Sequence, residues 1–213
     1  MVDELTFYTH PMSRGRIVRW MLEEIGRPYR TELLDYGTTM KAPAYLSINP
    51  MGKVPAIRHG DTVVTEVAAI CAYLADAFPE VRLAPPPGDR LRGPYYRWLF
   101  FAAGPLEAAV SNKAMGFVVP EEREKMIGYG RLEQVVNALE AAVSRGQYLV
   151  ADSFTAADVY LGSHIGFGMQ FGTIDKRPAF GRYWQRPSTR PAALRANEID
   201  DALTPQQQVQ PAR

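Results

Sequence analysis

The segment INPMGKVPAI, residues 48–57, is followed nine residues later by EVAAICAYL, residues 66–74, and these two segments decide the fold. Pro55 has no N–H to donate, whereas Val54 before it keeps its own N–H and C=O groups. A trans proline that opens an edge strand is the commoner arrangement. We predict a cis Val54-Pro55 bond, which would turn both Val54 groups outward, where an extended peptide can pair with them antiparallel.

A hairpin and a helix follow this segment. Residues 56–58 and 62–64 flank the sequence His59-Gly60-Asp61, and a Gly-Asp pair there favours a tight turn between two strands. From Glu66 onward, apolar residues recur at helical spacing until Pro79 ends the run. Glu66 and the free N–H groups of the helix start therefore lie beside the hairpin, where they suit a ligand's ammonium and carboxylate groups.

The residues that precede this segment predict an α/β unit. Residues 5–8 favour a strand, and residues 16–25 favour a helix with one apolar face. A second strand is predicted at residues 29–33 and a short helix at residues 44–48. The predicted order is β-α-β-α-β-β-α, ending near Phe78.

The second half of the chain predicts helices. Residues 82–89 contain three consecutive prolines, which resist helix and sheet alike and indicate a linker. Helical patterns then cover residues 90–113, 120–145 and 156–169, with shorter pieces from 179 to 197. Thr155 followed by Asp158 forms a capping box, with Asp in place of the usual Glu, and predicts a helix start with a structural role.

Composition excludes several classes of function. The chain has 213 residues, 46% of them hydrophobic, and a formal net charge of +1, which gives no electrostatic basis for binding nucleic acid or an acidic membrane. The acidic N-terminus lacks an apolar signal core, and no run approaches the roughly 18 apolar residues of a spanning helix, so we expect a cytoplasmic protein. The single cysteine, Cys71, lies on the apolar stripe of a helix and is interpreted as a buried structural thiol. The three histidines are far apart and predict no metal site.

The two opening segments, extended by one residue to include Thr65, resemble the glutathione-binding half of cytosolic glutathione S-transferases. FTAADV, residues 154–159, is similar to the capping motif of that family's helical domain. The sequence departs from the family at Val67, where a serine is usual. The resemblance spans nearly the whole chain and implies an α/β N-terminal thioredoxin-like domain plus an all-α C-terminal helical domain, with boundaries at residues 1–79, 80–89 for the linker, and 90–213. It also implies glutathione as co-substrate and a homodimer.

Two hydroxyl groups are candidates to stabilise a glutathione thiolate. Ser13 precedes the first helix and matches the serine of serine-type enzymes, whereas Tyr8 matches the tyrosine of the tyrosine type. We favour Ser13, because the dipole of the helix start also acts there. Lowering a thiol pKa from about 8.5 to about 6.5 requires roughly 2.7 kcal/mol of selective stabilisation. A hydrogen bond to a charged acceptor supplies about 1.5–3 kcal/mol, so one hydroxyl beside a helix start is enough.

The resemblance also assigns residues that bind the rest of the tripeptide. Glu66 would bind the γ-glutamyl group, and Val67 would offer its backbone N–H in place of the missing serine hydroxyl. Lys53 would bind the glycyl carboxylate, with Lys41 as the second choice. The candidate glutathione-binding residues are Lys53, Val54, Pro55, Glu66, Val67 and Lys41.

An apolar electrophile would sit between the Ser13 loop and the helical domain. The candidate wall consists of Met12, Phe101, Met115 and Phe117, with Tyr96 or Arg97 as polar contacts. The leading hypothesis is a glutathione S-transferase whose bound thiolate attacks this electrophile. Two alternatives stay open: a ligand-binding or protein-interaction module with little transferase activity, and a glutathione-dependent disulfide reductase or peroxidase.

A homodimer needs exposed apolar anchors near the linker. Tyr95, Tyr96 and Trp98 are candidates for that role, although aromatic residues on a helix also serve as core.

Overall fold

The computed structural model describes residues 4–204 and begins with a four-stranded sheet in the order β2-β1-β3-β4. The strands are β1 (Leu5–Thr9), β2 (Arg30–Leu33), β3 (Ala56–His59) and β4 (Thr62–Thr65). β1 and β2 run parallel, and the other two pairs are antiparallel, which confirms the predicted hairpin. Ala56 pairs with Tyr8 on one side and Thr65 on the other, so the Val54 segment lies at the edge where β1 ends.

Helices of the first half pack against this sheet. They are α1 (Gly15–Ile25), α2 (Pro43–Leu46) and α3 (Val67–Ala77). α1 buries one apolar face and ends at Gly26, whose φ of 67° is a left-handed conformation that glycine adopts freely. The Val54-Pro55 bond is cis, as predicted. The order β-α-β-α-β-β-α is therefore confirmed.

Within the described part of the chain, the second half is built from helices. They are α4 (Arg92–Phe101), α5 (Glu107–Ala114), α6 (Leu132–Val143), α7 (Ala156–Phe171), α8 (Pro178–Ser188) and α9 (Pro191–Leu203). This confirms the α/β plus all-α fold class. The domain boundaries at residues 79 and 90 stay a prediction, and the predicted domain ends, 1–3 and 205–213, lie outside the described residues.

Two of the predicted helices are interrupted. The helix expected over residues 90–113 opens into a π-helical stretch at Ala102–Leu106, because Pro105 has no N–H to donate to the helical ladder. The helix expected over residues 120–145 is split into a short 3₁₀ helix at Glu121–Met126 and α6. Gly130, with φ of 65°, lies between the two pieces.

The capping box at the start of α7 forms as predicted. Asp158 Oδ2 accepts hydrogen bonds from the backbone N–H of Thr155 at 3.0 Å and from its hydroxyl at 3.2 Å. Asp158 Oδ1 accepts from the Leu149 N–H at 2.9 Å and from the Tyr183 hydroxyl at 2.8 Å. Burial raises the pKa of this carboxyl to about 6 although all four bonds favour its charged form. The box therefore ties the helix start to the preceding loop and to α8.

α9 lies antiparallel along α1, and four ion pairs join α1 to α9 and to Arg190, the residue before it. Proceeding along α1, they join Arg16 to Asp201, Arg19 to Asp200, Glu23 to Arg195 and Glu24 to Arg190. The pair Arg19–Asp200 is buried, with both side chains 1% exposed. Among residues 4–204, the last helix thus packs against the first through these charged contacts.

One continuous apolar core joins the two halves of the chain, since its buried residues run from Leu5 to Ala196. Tyr95 and Trp98 belong to this core, at 0% and 6% exposed, so they do not provide the exposed dimer anchors considered above. Tyr96 is 40% exposed and lies in a groove along the linker. Among residues 4–204, no helix combines the length and the apolarity that spanning a membrane requires.

Candidate active site

A cleft of about 890 Å³ opens between the α1 loop, the Val54 segment, and helices α5 and α7. Four residues predicted from the sequence lie on its wall: Met12, Ser13, Lys53 and Val54. The opposite wall consists mainly of Glu107, Val110, Ser111, Ala114, His164, Phe167 and Phe171. The cleft therefore places a helix start and a backbone edge on one side and an apolar helical surface on the other.

Ser13 is half-buried at the start of α1 and takes part in two short hydrogen bonds. Its Oγ accepts from the Gly15 N–H at 2.9 Å and donates to the carbonyl of His10 at 2.7 Å. A side chain at position 15 would collide with Thr9 and would come within 2.9 Å of Ser13 Oγ, so this turn needs glycine. The hydroxyl oxygen is thus held in place, while its proton is donated to a local carbonyl.

The loop that carries Ser13 is held from both sides through its carbonyl groups. Arg16 Nε donates to the Pro11 carbonyl at 2.7 Å, and the Tyr36 hydroxyl donates to the Met12 carbonyl at 3.4 Å. The Met12 N–H donates to His10 Nδ1 at 3.1 Å. The backbone N–H of Arg14 has no partner within residues 4–204. The first turn of α1 therefore offers a free N–H donor next to the Ser13 hydroxyl.

Tyr8 lies in a small apolar cluster instead of on the cleft wall. Its side chain is 7% exposed, and its ring centroid is 5.7 Å from that of Tyr45. Met40 and Ala56 complete the cluster. Of the two candidate residues, Ser13 lines the cleft and Tyr8 does not.

The Val54 segment presents an unpaired backbone edge. Within residues 4–204, neither the N–H nor the C=O of Val54 has a hydrogen-bond partner, whereas the carbonyl groups of the three residues before it accept hydrogen bonds from side chains. The Lys53 carbonyl accepts from the Tyr45 hydroxyl at 2.6 Å and from Asn49 Nδ2 at 2.8 Å. Pro55 is buried and does not line the cleft.

The two predicted lysines differ in their surroundings. Lys41 Nζ donates to the Gly52 carbonyl at 2.7 Å and to the Met51 carbonyl at 3.2 Å, so it already braces the loop. Lys53 is exposed on the cleft wall. Lys53 is therefore the better placed of the two to meet an anion.

Glu66 directly precedes α3 with an unusual backbone conformation, φ 65° and ψ 122°. Because Ala56 pairs with Thr65, Glu66 follows on the same sheet edge as the Val54 segment. The Glu66 side chain is exposed, whereas Val67 is 7% exposed and packs into the core. Neither residue lines the cleft.

Arg14, Glu107 and His164 form a polar cluster on the cleft wall, and sequence reasoning missed Glu107 and His164. Arg14 Nε donates to Glu107 Oε2 at 3.2 Å, a second guanidinium nitrogen donates to Oε1, and the Ser111 hydroxyl donates to Oε1 at 3.2 Å. His164 Nδ1 lies 3.8 Å from Glu107 Oε2, and its Nε2 is buried without a partner in the described residues. Burial lowers the pKa of His164 to about 4, although Glu107 favours the charged form. His164 is therefore neutral at pH 7.

No sequence signal marks Glu107 and His164, because each is an isolated polar residue in a helical pattern. Among residues 4–204, no three His, Cys, Asp or Glu side chains gather as a metal site needs.

The predicted electrophile wall is corrected at three positions. Phe101 packs against Trp98, at 5.4 Å between ring centroids, and does not line the cleft. Met115 and Phe117 are 74% and 59% exposed on the segment after α5, also outside the cleft. The predicted polar contacts Tyr96 and Arg97 do not line it either. Instead, the apolar wall comes from Val110, Ala114, Phe167 and Phe171.

Two family models match the chain. Residues 12–77 match the N-terminal domain of glutathione S-transferase, and residues 100–191 match its C-terminal domain. Glutathione S-transferase F9 of Arabidopsis thaliana is 30% identical over 176 residues, which cover 71% of this chain and 76% of the relative. Glutathione S-transferase GST-4.5 of Xanthomonas campestris is 27% identical over 167 residues, covering 74% and 79%.

Solved structures agree with these matches. The crystal structure of a glutathione transferase from Methylococcus capsulatus strain Bath is similar, with a TM-score of 0.75 at 30% identity, covering 93% of this chain and 99% of that one. A sphingomonad glutathione S-transferase complexed with glutathione has a TM-score of 0.75 at 26% identity, covering 92% and 98%. This chain therefore belongs to the glutathione S-transferase family.

Proposed function

We propose that the cleft binds glutathione and that Ser13 stabilises its thiolate for attack on an apolar electrophile. The observation that carries the proposal is the position of Ser13: its hydroxyl lies at the start of α1, on the same cleft wall as Lys53 and the unpaired backbone of Val54. The sphingomonad relative, which this fold resembles over nearly its whole length, is complexed with glutathione.

Glutathione is an extended tripeptide with a charged group at each end, and the edge offers a partner for each part. The N–H and C=O of Val54 pair with the cysteinyl main chain as a short antiparallel ladder. Lys53 binds the glycyl carboxylate. The carboxylate of Glu66 binds the γ-glutamyl ammonium, and the Val67 N–H at the start of α3 binds the γ-glutamyl carboxylate. Lys41 acts indirectly, by holding the loop that carries Lys53.

The Ser13 hydroxyl needs only a rotation to reach the thiolate. In this structure it donates to the His10 carbonyl, while the Gly15 N–H holds its oxygen in place. Turning the O–H toward the sulfur exchanges a bond to a neutral acceptor, worth about 0.5–1.5 kcal/mol, for a bond to a charged acceptor, worth about 1.5–3 kcal/mol, so the net gain is about 1–1.5 kcal/mol. The helix start adds about 0.3–1 kcal/mol. Arg14 contributes less than an isolated cation, because Glu107 already pairs with it.

The reaction needs the electrophile beside the sulfur and away from water. The thiolate attacks an electron-poor carbon, a C–S bond forms, and the leaving group departs with the bonding electron pair. Val110, Ala114, Phe167 and Phe171 provide an apolar surface opposite Ser13 for such a substrate.

Titration of the thiol tests this proposal. Cys71, the chain's single cysteine, is fully buried, and burial raises the pKa of its thiol well above the ordinary value, so thiolate absorbance near neutral pH reports bound glutathione. We expect the protein to lower the pKa of the glutathione thiol, and Ser13→Ala to raise it again by about one unit, the equivalent of that net gain in hydrogen-bond energy. Tyr8→Phe is the matched control and should leave it unchanged.

Each other outcome contradicts part of the proposal. If Tyr8→Phe raises the thiol pKa and Ser13→Ala does not, the enzyme is of the tyrosine type. If the protein binds glutathione without lowering its pKa, the interaction-module alternative is favoured. Conjugation of glutathione to an activated aryl halide, measured on the same variants, separates transferase activity from reduction of a disulfide or a peroxide.

We also propose that the protein is cytoplasmic and forms a two-fold homodimer, in which the thioredoxin-like half of one chain faces the helical half of the other. Light scattering on the purified chain tests this assembly. A single species of about 24 kDa, the mass of one chain, would contradict it.

A further inference from the structure

The charges on α1 and α9 are arranged against the preference of each helix alone. A helix favours acidic residues near its start and basic residues near its end. α1 has Arg16 near its start and Glu24 near its end, and α9 has Arg195 in its first half and Asp201 near its end. This reversed order makes sense for the antiparallel pair, because each unfavourable charge faces an opposite charge on the other helix.

The ion pair nearest the cleft differs from the others, because it also reaches the Ser13 loop. Arg16 donates from one nitrogen to Asp201 Oδ1 at 2.6 Å and from Nε to the Pro11 carbonyl at 2.7 Å. Both Arg16 and Asp201 line the cleft. The planar guanidinium thus connects the last turn of α9 to the backbone two residues before Ser13.

We propose that Asp201 is a positioning residue for catalysis: by fixing the Arg16 guanidinium, it holds the Pro11 carbonyl and thereby the loop that aims the Ser13 hydroxyl into the cleft. This inference rests on the proposed function. The guanidinium has a fixed fork of donors, so a partner on one nitrogen sets the direction of the others. Without Asp201, Arg16 is free to rotate away from Pro11, and the loop loses one of the two side-chain donors from outside the loop that hold its carbonyl groups. The other restraint, the Tyr36 bond to Met12, is longer, at 3.4 Å.

Loss of the Asp201 charge should change the pKa of the glutathione thiol in the direction opposite to the one that Coulomb's law alone predicts. The charged groups on the cleft wall are Arg14, Arg16, Lys53, Glu107 and Asp201, and neutral His164 lies on the same wall as Glu107. Removing the negative charge of Asp201 would, by Coulomb's law alone, favour the thiolate and lower the thiol pKa. Loss of Ser13 alignment weakens a hydrogen bond to the thiolate and raises the thiol pKa. The sign of the change therefore separates positioning from a charge effect.

The test compares Asp201→Asn with Arg195→Gln, which removes an exposed ion pair of the same two helices farther from the cleft. With glutathione bound, we expect Asp201→Asn to raise the thiol pKa by about half a unit or more and to lower the conjugation rate at pH 6.5 about threefold or more. Arg195→Gln should change neither quantity. Arg16→Lys should resemble Asp201→Asn, because an ammonium group cannot reproduce the fork. The melting temperature of Asp201→Asn should stay close to that of the parent, since exposed ion pairs contribute little to stability.

The outcomes are distinguishable from failure of the proposed function. A parent protein that does not lower the thiol pKa overturns the function itself. A parent that lowers it, with an Asp201→Asn variant whose thiol pKa is unchanged or lower, overturns the positioning role alone. If the thiol pKa rises equally in Asp201→Asn and Arg195→Gln, the effect comes from the packing of α9 on α1 in general. That result also overturns the positioning role of Asp201.

Discussion

Replacing Asp200 by Asn removes one charge from an ion pair that the fold buries between α1 and α9. Arg19 and Asp200 are each 1% exposed, and Arg19 Nε lies 2.7 Å from Asp200 Oδ1. The remaining neighbours of Arg19 are neutral: the hydroxyls of Tyr29 at 3.1 Å and Thr31 at 3.3 Å, and the ring of Phe7 at 5.1 Å. These neutral groups cannot replace the lost charge. Because asparagine has nearly the same volume as aspartate, the change in stability measures the electrostatic contribution of the ion pair.

We expect Asp200→Asn to lower the free energy of unfolding by about 3–5 kcal/mol, the cost of leaving one member of a buried pair unpaired. Urea denaturation followed by circular dichroism measures this change. Asp201→Asn is the matched control, since the neighbouring carboxylate is 68% exposed, and it should cost less than about 1 kcal/mol. If Asp200→Asn costs no more than that control, the buried charge of Arg19 is compensated in some other way and the reasoning is refuted.

A double variant tests the same reasoning from the other direction. Arg19→Met combined with Asp200→Leu removes both charges and leaves an apolar contact. It should recover most of the stability that Asp200→Asn loses, because replacing both members of a buried pair is often neutral or stabilising by about 1–4 kcal/mol.

Four further changes have defined outcomes. Thr155→Ala should lower the free energy of unfolding by about 0.5–2 kcal/mol in urea, with glutathione binding unchanged, because the cap at the start of α7 does not line the cleft; an unshifted urea midpoint would contradict this. His164→Phe should remove an acid-dependent loss of stability: since burial lowers the pKa of His164 to about 4, the unfolded state gains a proton first as pH falls from 6.5, which costs the parent about 3 kcal/mol by pH 4. Parallel stability curves for variant and parent would argue against this. Glu66→Ala should weaken glutathione binding about 10- to 100-fold in calorimetry without unfolding the protein, and equal affinity would exclude the γ-glutamyl contact. Gly15→Ala should displace Ser13 and raise the bound thiol pKa, and retention of the parent value would show that the turn tolerates a side chain.

Much of the fold follows from local sequence patterns. The hairpin around Gly60, α3 and the α7 start each depend on residues within a few positions of one another, so their chemistry is visible along the chain. Helix interruptions were harder to predict. The apolar spacing of residues 90–113 continues through Pro105, and only the structure shows that the helix absorbs this proline as a π-helical turn instead of ending.

The two walls of the site differ in how well the sequence predicts them. Ser13, Lys53 and Val54 occur in short motifs with backbone roles, and the structure brings them to one wall. The wall that would contact the electrophile depends on which faces of α5 and α7 point toward Ser13, Lys53 and Val54 once the helices have packed. The sequence does not distinguish Phe101 from Phe167, because an aromatic residue on a helix has the same local pattern whether it faces core, solvent or cleft. Glu107 was missed for the same reason.

The strained backbone conformation of Glu66 affects how this protein can be stabilised by engineering. Its φ of 65° lies where a residue with a side chain is strained by about 1–3 kcal/mol, and glycine adopts the same angles at little cost. A library screened only for heat resistance would therefore select Glu66→Gly and would discard the carboxylate proposed to bind the γ-glutamyl ammonium. At this position the most stable sequence and the one that binds ligand are different sequences. Stabilised variants of this enzyme should consequently be selected for retention on immobilised glutathione as well as for melting temperature.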